Sequence, residues 1–227
     1  MTRLLNPITL SARFGAVTLA FILGLCSAGA SAQSGDPPRN LLPTELPGGQ
    51  APAKPTAVHN VRGFLPDLSF ELQGPGGKTL TEKDFLGKTV LVFFGYASCP
   101  DICPTTMAQL AQVMDKLGRD AAGVSILFVS VDPHRDTPEV LDAYVRAFDN
   151  HAIGLTGTEK QISSLARRYR VAYQIQKPSG ADGDDYEVAH SRGIYIFDKS
   201  GRARILASDS ETTDAITDAV RALLQES

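Results

Sequence analysis

Residues 89–104 read Thr89-Val90-Leu91-Val92-Phe93-Phe94-Gly95-Tyr96-Ala97-Ser98-Cys99-Pro100-Asp101-Ile102-Cys103-Pro104. The segment Thr89–Gly95 is apolar and rich in β-branched and aromatic side chains. Such an unbroken run marks a strand buried on both faces, because a half-exposed strand would alternate with polar residues. Pro104 suits the first turn of a helix, where its missing N–H would find no partner anyway. Met107, Leu110, Val113, Met114 and Leu117 then recur at helical spacing. Two cysteines therefore stand between a central strand and a helix start. Cys103 lies at that start, where free N–H groups and the helix dipole favour its thiolate. Cys99 lies in the preceding loop.

Downstream, Val124 to Val131 reads as a second central strand. Asp136 or Thr137 caps the next helix, with Pro138 in its first turn and Val140, Leu141, Tyr144, Val145 and Phe148 as its apolar stripe. A strand starts at His151. Thr158 and Gln161 form a capping-box pattern, and Ile162, Leu165, Ala166 and Tyr169 face inward. Val171 to Gln176 reads as a strand and Lys177 to Tyr186 as a polar, acidic loop. Gly193 to Phe197 and Ala203 to Ala207 read as strands joined across Asp198-Lys199-Ser200-Gly201, a hairpin signal. The last helix is expected from Glu211 to Leu224. Upstream, Asp67 to Leu72 and Thr79 to Thr81 form an N-terminal β extension around the turn Gly74-Pro75-Gly76-Gly77, and Asp84 to Lys88 is a short turn. The alternation of strands and helices implies an α/β fold, a central mixed β-sheet flanked by helices. A cysteine pair where the first buried strand meets a helix makes that fold thioredoxin-like. There are no internal repeats.

The chain has 227 residues, 43% of them hydrophobic and 21% charged, with a formal net charge of −3. That mild acidity argues against a nucleic-acid partner, which would need a concentrated basic face. Arg3 and Arg13 precede an apolar run from Phe14 to Cys26, and Ala30-Ser31-Ala32 fits a signal-peptidase site. Residues 1–32 are thus expected to be a signal peptide or membrane anchor. Residues 33–60, rich in Pro, Gly and Ala, are expected to be a flexible linker, and residues 61–227 the domain. Leu23-Gly24-Leu25-Cys26 resembles a lipobox, but Leu25 is too large for its position. Cleavage after Ala32 would remove Cys26 and leave Cys99 and Cys103 as the cysteines of the mature chain. A disulfide closing so small a loop constrains the unfolded chain little, so pure stabilisation is the weaker reading. A dithiol–disulfide redox pair and a metal site remain. Two soft thiolates suit Cu(I).

At these residues the chain resembles the SCO/SenC copper proteins, which assist assembly of the CuA centre of cytochrome c oxidase. The resemblance spans roughly residues 60–225. Phe94-Gly95-Tyr96 through Cys103-Pro104 is similar to the family's metal loop. Val131-Asp132-Pro133 with Arg135-Asp136-Thr137-Pro138, then Leu155-Thr156-Gly157, are similar to two further signatures. Tyr186-Glu187-Val188-Ala189-His190-Ser191 is similar to the segment that carries a histidine ligand. One C-x-x-x-C alone is a weak signal, whereas four motifs in order are specific.

The resemblance implies that Cys99 and Cys103 are thiolate ligands and His190 the imidazole ligand of one copper per chain, Cu(I) or Cu(II). It gives Asp132 a structural or near-site role, with Ser98, Asp101 and Ala189 also near the site. The family usually has an acidic residue where this chain has Ala189, and often a histidine where it has Ser98. Neither departure removes a ligand. The implied function is a copper chaperone facing the periplasm, soluble after signal cleavage or tethered to the inner membrane. Its partners would be the oxidase subunit carrying CuA and a periplasmic copper donor. It would not be an enzyme in the strict sense. The alternative is a thiol–disulfide oxidoreductase acting on an oxidase subunit or copper carrier; a redox sensor or peroxiredoxin-like enzyme has less support. Of the other histidines, His59 is expected in the tether, His134 is the reserve ligand and His151 is structural. No proline follows Pro178, so the place where thioredoxin-like oxidoreductases set a cis-proline against their cysteines falls to His190. The glycines and acidic residues at 180–185 suggest that the loop holding His190 is mobile.

Overall fold

Every residue of Thr89–Gly95 and Val124–Ser130 is buried, and the two runs lie side by side as parallel strands inside a six-stranded sheet. The computed structural model describes residues 58–176 and 186–226. The expected leader at 1–32, the linker as far as 57 and loop residues 177–185 lie outside the described residues. In chain order the strands are β1 (Val58–Asn60), β2 (Glu71–Gln73), β3 (Thr79–Thr81), β4 (Thr89–Gly95), β5 (Val124–Ser130), β6 (Ala152–Leu155), β7 (Tyr173–Gln176), β8 (Glu187–His190), β9 (Gly193–Phe197) and β10 (Ala203–Ser208). The helices are α1 (Ile102–Leu117), α2 (Pro138–Arg146), α3 (Glu159–Arg168) and α4 (Thr213–Gln225).

The main sheet runs β1-β10-β9-β4-β5-β6, with β4, β5 and β6 parallel and β9, β10 and β1 joined antiparallel. Successive β4 side chains alternate between its faces. Phe94 meets Tyr169, just past the end of α3, while Phe93 packs on Phe128, whose ring in turn meets Tyr144 of α2. Helices α1 and α4 pack on each other. This is the mixed, helix-flanked sheet of the thioredoxin-like fold. The β2–β3 hairpin is the expected N-terminal extension.

Several local expectations hold to the residue. Thr158 accepts from the Gln161 N–H, and Gln161 reaches back to Thr158, closing the capping box of α3. Asp198 Oδ1 accepts from the Ser200 and Arg202 N–H groups, fixing the β9–β10 turn, with Gly201 at φ 77°.

Four expectations change. Val58–Asn60, assigned to the linker, pairs with β10 as an edge strand. The strand expected from Asp67 shrinks to Glu71–Gln73, because the Tyr169 hydroxyl takes the Ser69 N–H and donates to the Asp67 carbonyl, both at 2.9 Å. Val140 is 43% exposed, since α2 buries only Leu141 and Val145 fully. His190 lies on no loop: it ends β8, which pairs antiparallel with β7 as a separate two-stranded ribbon.

Thr158→Ala should lower the urea midpoint at unchanged slope, a loss of about 1 kcal/mol from the α3 cap.

Candidate metal centre

Strand β4 delivers the chain to the site at its carboxyl end, where open α/β sheets gather their functional loops. Ala97 and Ser98 make a turn in which the Cys99 N–H donates to the Tyr96 carbonyl at 3.2 Å. Helix α1 starts at Ile102, placing Cys103 in its first turn, with its N–H directed at Cys99 Sγ at 3.5 Å. Cys103 is buried and Cys99 half-buried, and both are free thiols. A Cβ on residue 95 would lie 2.7 Å from Cys103 Sγ and 2.9 Å from the Phe128 ring. Only glycine lets the buried sulfur sit against the strand.

The imidazole arrives from the β7–β8 ribbon, where His190 pairs with Tyr173. Its Nδ1 lies 2.9 Å from the Ser191 carbonyl. A carbonyl can only accept, so Nδ1 carries the hydrogen and Nε2 is the unprotonated nitrogen, an acceptor for the Cys103 thiol. That Nε2 lies 3.4 Å from Cys103 Sγ. Phe93 and Tyr96 hold the ring edge-to-face at 5.9 and 6.0 Å. The two sulfurs and the imidazole nitrogen all lie within 4.8 Å of one another.

Burial governs the protons here. It pushes the Cys103 thiol far above its ordinary range, a rise the nearby Cys99 reinforces. The thiolate expected from the helix start is therefore overruled in the metal-free chain. A helix terminus contributes about 0.3–1 kcal/mol, less than one pKa unit, whereas burial moves a group by up to about 3–5 units. Burial likewise lowers the His190 pKa, against the upward pull of the Ser191 carbonyl and with a further push from Arg192. Burial thus favours the neutral thiol at Cys103 and the neutral imidazole at His190, which suits a soft cation that displaces the thiol proton.

Asp132 is buried beneath the site. It accepts from the Tyr186 hydroxyl at 2.7 Å and from Arg135 Nε, while its own N–H donates to Ser130 Oγ at 2.9 Å. Asp101 and Ala189 line an open cleft of about 390 Å³ with Tyr96, Cys99, Glu187 and His190, and Ser98 is exposed in the turn beside it. His134 stands away from this trio, exposed and paired with Glu159. His151 pairs with Asp149, and His59 sits exposed on β1 opposite Leu206. Thr137, not Asp136, caps α2. Asp136 instead takes the Ala97 N–H at 3.0 Å, which fixes the cysteine loop. Sequence reasoning missed Ser130, Arg135, Asp136 and Tyr186 as builders of the site. Their signal was that they fall within or beside the quoted motifs.

The sequence profile of the SCO1/SenC family matches residues 65–225. Protein SCO1 homolog 1, mitochondrial, of Arabidopsis thaliana is 37% identical over 153 residues, covering 66% of this chain and 45% of the relative. An SCO2-like protein of Rickettsia prowazekii is 37% identical over 133 residues, 59% of this chain and 64% of the relative. The chain thus spans about half to two thirds of the length of these relatives. Among solved structures, ScoI of Bradyrhizobium japonicum with copper bound superposes with a TM-score of 0.63 at 34% identity, covering 70% of this chain and 99% of that one.

Because folding lowers the His190 pKa below its ordinary 6.5, the unfolded chain binds more protons near that pH. This contribution to stability is complete above 6.5 and declines as the pH falls through the lowered value. NMR titration of the metal-free domain should place the His190 midpoint below 6.5. A midpoint above it would contradict the burial of the ring.

Proposed function

Since the chain belongs to the SCO1/SenC family, we propose that it binds one copper ion through Cys99, Cys103 and His190 and delivers it to the CuA site of cytochrome c oxidase. The observation that carries this reading is the convergence of two cysteine sulfurs and an imidazole nitrogen within 4.8 Å, from elements far apart in sequence. Two thiolates favour Cu(I), and the imidazole supplies a donor suited to both oxidation states. The half-buried Cys99 and the cleft beside it leave one flank accessible, so a partner's thiolates can reach the ion and replace the ligands in turn. The leader at 1–32 would place this domain in the periplasm, freed by cleavage or held at the inner membrane. Among the described residues no helix is long and apolar enough to cross a membrane. A periplasmic copper donor and the oxidase subunit carrying CuA are the proposed partners.

The nearness of the two sulfurs favours a second reading beside the first. Exchange with a partner disulfide would oxidise Cys99 and Cys103 to a disulfide and reduce the partner's cysteines to thiols. In that form the chain prepares an oxidase subunit or copper carrier instead of loading it.

The reduced domain should bind one Cu(I), and Cys99→Ser with Cys103→Ser should abolish it, read by competition with a chromophoric Cu(I) chelator. His190→Ala should weaken Cu(II) binding more than Cu(I) binding and shift the thiolate-to-copper absorption. Undiminished Cu(I) affinity in the double variant would sink the copper reading. Unchanged Cu(II) binding in the histidine variant would remove His190 from the ligand set.

Oxidising the pair removes both thiolates, so copper should leave as the disulfide forms. Copper retention titrated against a glutathione redox series checks this. Full retention by a form shown by mass spectrometry to hold the disulfide would contradict it.

A further inference from the structure

The three donors come from two pieces of chain that share no strand pairing. The cysteine loop follows β4, whereas His190 ends β8 in a ribbon separate from the main sheet. A line of hydrogen bonds through the end of β5 joins the two pieces. The Ala97 N–H donates to Asp136 Oδ2 at 3.0 Å, and the Ser130 hydroxyl donates to the same oxygen at 2.6 Å. Ser130 Oγ accepts from the Asp132 N–H at 2.9 Å, and Asp132 Oδ1 accepts from the Tyr186 hydroxyl at 2.7 Å. Arg135 closes the far end. It donates to the Tyr186 carbonyl at 3.0 Å, lays its guanidinium 3.7 Å from the Tyr186 ring centre, and pairs with Asp132. Ser130, Asp132 and Asp136 are each at most 1% exposed. Water therefore does not compete for these bonds, and the geometry they impose is stiff.

Tyr186 is held by its hydroxyl, its ring and its carbonyl, immediately before the strand that ends in His190. We propose that Tyr186 is a positioning residue for the third donor: the relay Tyr186–Asp132–Ser130–Asp136–Ala97 holds imidazole and thiols together as one preformed centre. The proposal rests on the copper reading above. It assigns the sequence signature at 131–138 a mechanical task, since its two carboxylates grip the two halves of the site. Side chains behind metal ligands commonly change affinity in this way by fixing ligand orientation.

The test is a double-mutant cycle of Tyr186→Phe with His190→Ala, read as Cu(II) affinity and as nitrogen hyperfine structure in the Cu(II) EPR spectrum. Tyr186→Phe keeps the ring under Arg135 and removes the hydroxyl that bonds Asp132. In the parent background it should weaken Cu(II) binding about tenfold or more and blur the nitrogen coupling. In the His190→Ala background it should change Cu(II) affinity by less than about twofold, because the group it positions is gone. Equal losses in both backgrounds would show a general structural effect and overturn the proposal while leaving the copper reading standing. Should Tyr186→Phe fail to fold, Ser130→Ala breaks the relay at its middle and should give the same background-dependent loss; an equal loss in both backgrounds overturns the proposal. If His190→Ala itself leaves Cu(II) binding unchanged, the ligand assignment falls and the proposal with it.

Discussion

The Val131 N–H donates to the Gly95 carbonyl at 2.8 Å, the last rung where the parallel strands β4 and β5 part company. Beyond it, one chain turns into the cysteine loop and the other into the Asp132–Asp136 segment. The rung fixes the two loops at a common origin, so Asp136 meets the Ala97 N–H without any long-range search. Side chains at this junction are constrained from both directions. Gly95 must lack a side chain for Cys103 to pack, and Ser130 must be small and polar to bridge two buried carboxylate residues.

Burial here serves selectivity as much as stability. A thiol buried against Gly95 at the start of α1 prefers its proton, because a lone thiolate in low dielectric is costly. A monovalent soft cation reverses that preference by supplying the compensating charge at the sulfur itself. The lowered basicity of His190 works in the same direction, since a neutral imidazole does not repel the incoming ion. Burial therefore leaves Cys103 and His190 as neutral groups in the metal-free chain.

The imidazole and the thiols also differ in how they are held. Cys103 is locked by helix and strand, whereas His190 stands on a two-stranded ribbon whose partner β7 is mostly exposed. Short ribbons are marginal alone and depend on what they lean against. Here that support comes from Asp132 and Arg135 under Tyr186.

By itself the sequence determined the central strands β4 and β5, the α3 capping box, the β9–β10 turn and the cysteine pair at a helix start. Each of these is set by neighbours within a few residues, through burial on both faces, a local side-chain cap or a required turn conformation. His190 was legible only through resemblance to a family motif, because an isolated histidine carries no periodic signal. Strand β8 was unreadable, since only Val188 of Glu187–His190 is buried and its partner Tyr173–Gln176 stands across a polar, acidic stretch of sequence. The tertiary structure alone decided that Asp136 grips the cysteine loop instead of capping α2. It alone decided that burial outweighs the helix dipole at Cys103. Both outcomes follow from groups brought together across the end of the sheet, where desolvation and buried hydrogen bonds exceed anything the local sequence supplies.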